Sequence, residues 1–344
     1  MSIDYDNLTD AEYEETIADF LWPDSFEIFT VFVFLSLMVI GVSGNCLVVF
    51  VVIRNKKLWT SMNFFLANLA LSDLLVLLIC LPPTVVNDIT KTFWFSSSVC
   101  KAIVFFQNTS VYVNILTLVR ISVERWKAVT SPLHNPLWNT QRAIVVIWIV
   151  AMLLSLPEPF TISTYPAVFE RPNFTTTWGT SCKESWSEQT QRCYQLVQTI
   201  ALFLLPLILI SALCAHMTFI LSTNTLSIGE RQISHRKKAT KMLIMVVVLF
   251  ALCYFPVHLH NISSAFDFDP LAGFYTDRII LALRKFVPRF MSYSSCCVNP
   301  ILYNFMCEKF RREFRQVCCP RGKLTWQNTL RVNHYSSVNA QTIC

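Results

Sequence analysis

The chain has 344 residues, of which 53% are apolar and only 15% charged, with a net charge of +6, whereas an ordinary soluble domain is about a quarter charged. Much of it is therefore expected to sit in lipid, and the positive balance is read as membrane topology and attraction to lipid headgroups, not as nucleic-acid binding. The connecting segments are short, which leaves no room for a catalytic domain and excludes an enzyme.

Residues 1–27 hold nine acidic residues and no Lys or Arg. They show neither the basic start nor the early apolar run of a signal peptide, so the first span is expected to act as its own insertion signal. Within this tail, residues 10–21 read as an amphipathic helix presenting Tyr13, Ile17, Phe20 and Leu21. Seven windows then follow at 28–53, 63–88, 99–129, 143–165, 196–221, 239–263 and 279–305. Each is long and apolar enough to cross a hydrocarbon layer of about 30 Å as a helix of about 20 residues. Backbone polar groups in lipid are satisfied only by helices or closed barrels, and none of the windows has the alternation of a barrel strand. The expected fold is an all-α membrane protein of seven transmembrane helices, with a tail at 1–27, a membrane domain at 28–305, an amphipathic segment at 306–319 and a final tail at 320–344.

Lys and Arg number three in 54–62, three in 125–142, five in 223–241 and seven from 306 onward. The positive-inside rule then predicts the N-terminus outside and the C-terminus in the cytoplasm. Asn7 and Asn173 begin glycosylation triplets on the outer side, while the similar triplet at Asn108 lies inside a span. Of the 13 cysteines, most fall in spans or on the cytoplasmic side, where thiols stay reduced. Cys100, at the outer end of the third span, and Cys182, in the long external loop at 166–195, are the pair expected to be oxidised, tying that loop over the bundle.

Asp73 is an acid at mid-membrane, costly unless paired or hydrated, and so marks a functional site. Arg125 follows Cys100 by about 25 residues, which at about 1.5 Å per residue places it about 37 Å away, at the cytoplasmic mouth of the bundle. Adjacent Glu124 can hold its guanidinium at rest. Arg120 lies about 7.5 Å deeper on another side of the same helix, where snorkelling to the inner headgroups is the ordinary reading. Pro206, Pro256 and Pro300 each remove a helix hydrogen bond and predict bends in the last three spans. The run from His235 to Lys241 is basic, and residues 307–317 are amphipathic, a helix lying on the inner leaflet with Cys318 and Cys319 beyond it as palmitoylation candidates.

In order and at matching depths, these residues resemble the rhodopsin-like G-protein-coupled receptors over about 41–319: Gly44-Asn45, Asn68-Leu69-Ala70-Leu71-Ser72-Asp73, Glu124-Arg125-Trp126, Trp148, Pro206, Phe250 through Pro256, and Asn299-Pro300-Ile301-Leu302-Tyr303. Within that family, Cys80-Leu81-Pro82, Asp88-Ile89-Thr90, Gln107, Glu124-Arg125-Trp126, Arg236-Lys237-Lys238-Ala239 and the sixth-span motif are similar to orexin and allatotropin receptors. The resemblance implies a heterotrimeric G protein, of the calcium-mobilising type, as partner, followed by arrestin and a receptor kinase, at the plasma membrane. It also implies a switch built from Asp73, Glu124, Arg125, Trp126, Phe250, Tyr254, Pro256, Asn299, Pro300 and Tyr303. Two departures matter: Tyr254 stands where most members have Trp, and Cys214 where most have a Tyr that meets Tyr303. No organic cofactor is expected, but the resemblance implies an allosteric sodium ion at Asp73, Ser110, Asn114, Ser295 and Asn299. Asn114 replaces a small Ser, so two readings stand: the ion binds, or the amide takes part of its place.

A transporter would show internal repeats, and an opsin would need a lysine deep in the seventh span, where Tyr293 stands and Lys285 is too far out. An amine receptor would carry an acid at Gln107, which can hydrogen-bond an amide but cannot neutralise a cation. The ligand expected is therefore a peptide, with a non-peptide such as an amine or lipid as the alternative. Its pocket is predicted in the outer third of the bundle, around Gln107, Asn261, Arg289 and Tyr293. Arg289 stands where the orexin-like group has His and needs a partner: Asp88, Glu158, or an acidic or carboxamide group of the peptide.

Overall fold

The computed structural model describes residues 8–130, 140–169, 171, 174–223, 230–266, 278–306 and 308–318. The long helices are Ser25–Arg54, Ser61–Thr90, Ser97–Thr130, Thr140–Thr161, Glu188–Thr223, Glu230–Ala265 and Arg278–Met306, here called the first to seventh spans. Among the described residues, six helices are apolar and long enough to cross a membrane. The Arg278–Met306 helix carries Arg278, Arg284 and Arg289 toward its start, which dilutes its apolar signal. The spans close into a ring in which the seventh packs against the first and sixth, while the third touches the second, fourth, fifth and sixth.

Local chemistry sets the helix ends. Asp24 accepts from the Glu27 amide at 2.7 Å while Glu27 accepts from the Asp24 amide at 3.0 Å, a reciprocal cap that starts the first span. Thr60 and Ser187 cap the second and fifth. The second span ends at Lys91, whose φ of 51° is left-handed. Wide π turns occupy Val76–Cys80, just before Pro82-Pro83, and Ile200–Leu204, just before Pro206. The expected bend at Pro206 is thus spread over a turn of wider helix, which re-satisfies carbonyls that a proline would strand. Pro256, Pro288 and Pro300 sit inside continuous helices.

Three boundaries differ by four residues or more from the sequence expectation, among them the start of the sixth helix, at Glu230 instead of 239. The fourth span ends at Thr161, and Ile162–Tyr165 is a strand, β1, paired antiparallel with β2, Ser181–Glu184, in the register Thr164↔Cys182. An apolar window cannot distinguish a helix end from a β-branched strand. The fifth helix starts at Glu188 instead of 196 because its first two turns are amphipathic, not apolar. The protein is all-α in its membrane part, and this hairpin is the sole sheet among the described residues.

The hairpin is fastened to the third span by a Cys100–Cys182 disulfide. Gly179, at φ +75°, turns the chain so that its amide donates to Thr92 Oγ1 at 3.0 Å, and a Cβ there would meet the Ala167 Cβ at 2.9 Å. The N-terminal helix, Asp10–Leu21, lies on the same loop. Arg171 binds the Asp10 carboxylate at 3.1 Å and the Leu8 carbonyl at 2.8 Å, and Tyr13 packs edge-on against Phe169 and Phe174. At the far end of the bundle the helix Glu308–Cys318 buries Phe314 against the core.

Candidate functional site

Beneath the hairpin the bundle encloses a cavity of about 1060 Å³. Gln107 of the third span, Asn261 of the sixth, Arg289 and Tyr293 of the seventh and Asp88 of the second all line it. Arg289 forms an ion pair with Asp88. Glu158, the other carboxylate considered for Arg289, is instead engaged by two residues of the cavity lining: Asn108 donates to it at 2.5 Å and Gln198 at 3.4 Å. The Tyr293 hydroxyl donates to Thr84 at 3.2 Å and its ring meets Phe34 edge-on.

Four other wall residues were not expected at the pocket. Asn108, Gln198, His258 and Glu184 line the cavity with Tyr112. His258 is held by Thr199 at 3.1 Å and stacks on Phe203 at 4.4 Å. Glu184 sits on β2, outside the spans, with its Oε2 buried and free of hydrogen bonds. Loss of solvation, then the nearby Glu158 charge, pushes its carboxyl up to about 7. The rule that singled out Asp73 would also have found Glu158, an acid near the end of an apolar window. Glu184 gives no such signal, because only the hairpin register turns it inward. The cavity is thus lined by Arg284, by the Arg289–Asp88 pair, by Glu184 and by several side-chain amides.

At the cavity floor Tyr254 meets Phe250 with ring centroids 4.5 Å apart and the rings tilted by 33°, just before Pro256, with Phe203 alongside. Ser295 Oγ lies 3.4 Å from the Tyr254 hydroxyl, linking the sixth span to the polar layer around Asp73. Asp73 is fully buried. Asn114 donates to its Oδ1 and Asn299 to its Oδ2, both at 3.0 Å. Pro300, next in the chain, approaches the first span where Gly44 leaves room: a Cβ there would lie 3.0 Å from the Pro300 Cβ. Asn45 donates to the Cys296 carbonyl at 2.8 Å, and Asn68 joins Thr117 and Trp148 at 2.9 and 2.8 Å.

Amide N–H donors from Asn114 and Asn299 compete with a sodium ion for the Asp73 carboxylate, one on each oxygen. Ser110 and Ser295 donate to the Ser72 and Ser292 carbonyls, while Asn114 turns its amide nitrogen to Asp73 and its Oδ1 to Ser72 at 2.5 Å. Of the two readings left open by the sequence, the geometry favours the amide standing in place of the ion.

At the far face Arg125 is 9% exposed, and its Nε is buried without a hydrogen-bond partner. Among the described residues no carboxylate lies within salt-bridge distance of it; the cation near Glu124 is Arg120, at 3.9 Å. That differs from the expected Glu124–Arg125 contact. Trp126 donates from its indole nitrogen to His216 Nδ1 of the fifth span at 2.9 Å. Tyr303 and Cys214 are both buried in the same core. Asn7, Asn173 and Cys319 lie outside the described residues, and Cys318 is the last residue of the final helix.

Residues 44–303 match the family described as 7 transmembrane receptor (rhodopsin family). The chain is also 29% identical over 298 residues to bombesin receptor subtype-3 of Ovis aries, an alignment covering 83% of this chain and 73% of that receptor.

Proposed function

This chain belongs to the rhodopsin family of seven-transmembrane receptors, and we propose that it is a receptor for an extracellular neuropeptide that signals through a heterotrimeric G protein. Members of that family are membrane signalling receptors and not enzymes, so the question is what binds and what moves.

The observation that carries the peptide reading is the cavity. At about 1060 Å³ it is at or above the usual size range for small-molecule sites. Its walls offer amide groups at Gln107, Asn108, Gln198 and Asn261 together with charged groups of both signs, Arg284, Arg289, Asp88 and Glu184 among them. Such a wall suits a ligand that brings backbone amides and charged ends, whereas an amine would find Gln107 where it needs an acid. The likeness to a bombesin receptor, bombesin being itself a peptide, is in keeping with this. Within the family the motifs around Gln107, Glu124-Arg125-Trp126 and Tyr254 resemble those of orexin and allatotropin receptors, which supports a peptide ligand and a G protein of the calcium-mobilising type.

The N-terminus lies outside the plasma membrane, as the basic loops on the opposite side require, and Asn7 and Asn173 carry glycans. Cys318 and Cys319 are palmitoylated, fixing the last helix to the inner leaflet. Ligand contact in the cavity shifts Phe250 and Tyr254 beside Pro256, alters the amide clasp on Asp73, and opens the far face so that Arg125 meets the G protein. Arrestin and a receptor kinase then act on the same open face.

The test is calcium and cAMP measurement in transfected cells challenged with amidated neuropeptides. A peptide response is expected, abolished in Arg125→Ala while peptide binding persists. A response to an amine or lipid alone would overturn the ligand class, and full signalling by Arg125→Ala would overturn the switch.

A further inference from the structure

We infer that Arg120 is a built-in counter-charge that holds Glu124 away from Arg125, so that Arg125 is already unpaired in the resting receptor. This rests on the reading of Arg125 as the G-protein contact. On a helix, residues four apart share a face, whereas adjacent residues do not. Arg120 therefore stands on the face of Glu124, and Arg125 is turned away from it. The distances agree: Arg120 NH1 lies 3.9 Å from Glu124 Oε2, with the two side chains 24% and 21% exposed. An arginine that merely snorkelled would end among headgroups. This guanidinium lies 5.8 Å over the ring of Phe65, a wholly buried residue of the second span, and so is anchored between two helices with its charge toward Glu124.

The consequence falls on Arg125. It is nine-tenths buried, with its Nε unpartnered, at the place where an adjacent acid would be its natural counter-ion. Glu124 Oε2 lies within salt-bridge distance of Arg120 and not of Arg125. Arg120 thereby lowers the cost of presenting Arg125, and the receptor carries ligand-independent activity.

The test has two arms on the full-length receptor. In the first, thermal denaturation of the purified protein in detergent is measured for Arg120→Gln, Glu124→Gln, Arg125→Gln and their combinations. Glu124 should couple to Arg120 and not to Arg125 in the wild-type background, and coupling to Arg125 should arise once Arg120 is replaced. Coupling of Glu124 to Arg125 from the outset, unchanged by Arg120→Gln, overturns the inference. In the second arm, nucleotide exchange on a panel of purified G proteins is measured without ligand, with Arg125→Ala as baseline. Arg120→Gln should lower wild-type exchange about two- to threefold, the scale of an exposed to half-buried i,i+4 pair. Arg120→Lys should retain it, and adding Glu124→Gln to Arg120→Gln should restore it. Unchanged exchange in Arg120→Gln, with wild type above baseline, also overturns the inference. Wild-type exchange at baseline with every G protein would overturn the ligand-independent activity inferred here, whereas failure of the switch reading would show separately, as ligand-stimulated signalling that survives Arg125→Ala. Where Arg120→Gln does not reach the membrane, Arg120→Leu keeps the apolar stem against Phe65 and replaces it in both arms.

Discussion

The Asp88–Arg289 pair ties the second span to the seventh across the mouth of the cavity, and its strength can be bounded from its setting. The side chains are 23% and 42% exposed respectively, so neither the buried limit of about 3–5 kcal/mol for a broken pair nor the surface value below about 1 kcal/mol applies. Discounting a charge-assisted bond for this solvent access leaves about 1–2 kcal/mol. Asp88→Asn and Arg289→Gln should each lower the denaturation temperature of the ligand-free receptor by roughly 1–3 °C on the usual heat scale. The double variant should lose no more than the worse single, because either change alone already empties the pair. On the ligand side, a peptide with an acidic group has to share Arg289 with Asp88. Asp88→Asn should therefore improve its half-maximal concentration several-fold, and Arg289→Gln should worsen it about tenfold, following roughly 1.4 kcal/mol per decade. Additive thermal losses in the double variant would refute the pair, and weaker response in Asp88→Asn would refute the competition.

Cys182→Ala should abolish high-affinity binding, since the bond closes a separation of 82 residues and its removal returns about 4–5 kcal/mol of chain entropy to the unfolded state on the loop-closure estimate. Saturation binding on surface-expressed receptor checks this, and unchanged affinity would contradict it. Glu184 supplies a pH dependence with a definite sign. Its carboxyl is raised from the ordinary 4.5 to about 7, so the fold disfavours its charged form. The penalty is absent below the ordinary value, grows between about pH 4.5 and 7, and is complete above. Thermal stability should fall as pH rises through that window, and Glu184→Gln should flatten the fall; an unchanged slope in the variant would assign it elsewhere. Exchanging about 0.15 M sodium for choline should leave agonist affinity within about twofold, because amides occupy both Asp73 oxygens. Asn114→Ser should introduce sodium sensitivity by freeing one of them, and strong sodium sensitivity in the wild type would count against the amide clasp.

The sequence alone determined the membrane fold, because burial in lipid leaves few options: long uncharged windows had to become helices, and the loop charges had to favour one orientation. Fixed helical rise turned spacing from Pro256 and Asn299 into a depth for Asn261, Arg289 and Tyr293, while Gln107 came from the family resemblance and Asp88 as a possible partner of Arg289. The reciprocal cap at Asp24 and Glu27 is equally local. Contacts between chains of charge and amide were a different matter. Arg289 had two carboxylates to choose from, and only the ring of helices set Asp88 beside it and put Glu158 against Asn108. Glu184 was invisible until β1 and β2 paired, because whether a loop residue faces a cavity depends on strand register. Asp73 announced itself as a site, but whether oxygens or nitrogens surround it was decided by how Asn114 and Asn299 pack from two other spans. Depth along a helix follows from the chain, while the partner across from it follows from which helices pack together, and that is a property of the tertiary structure.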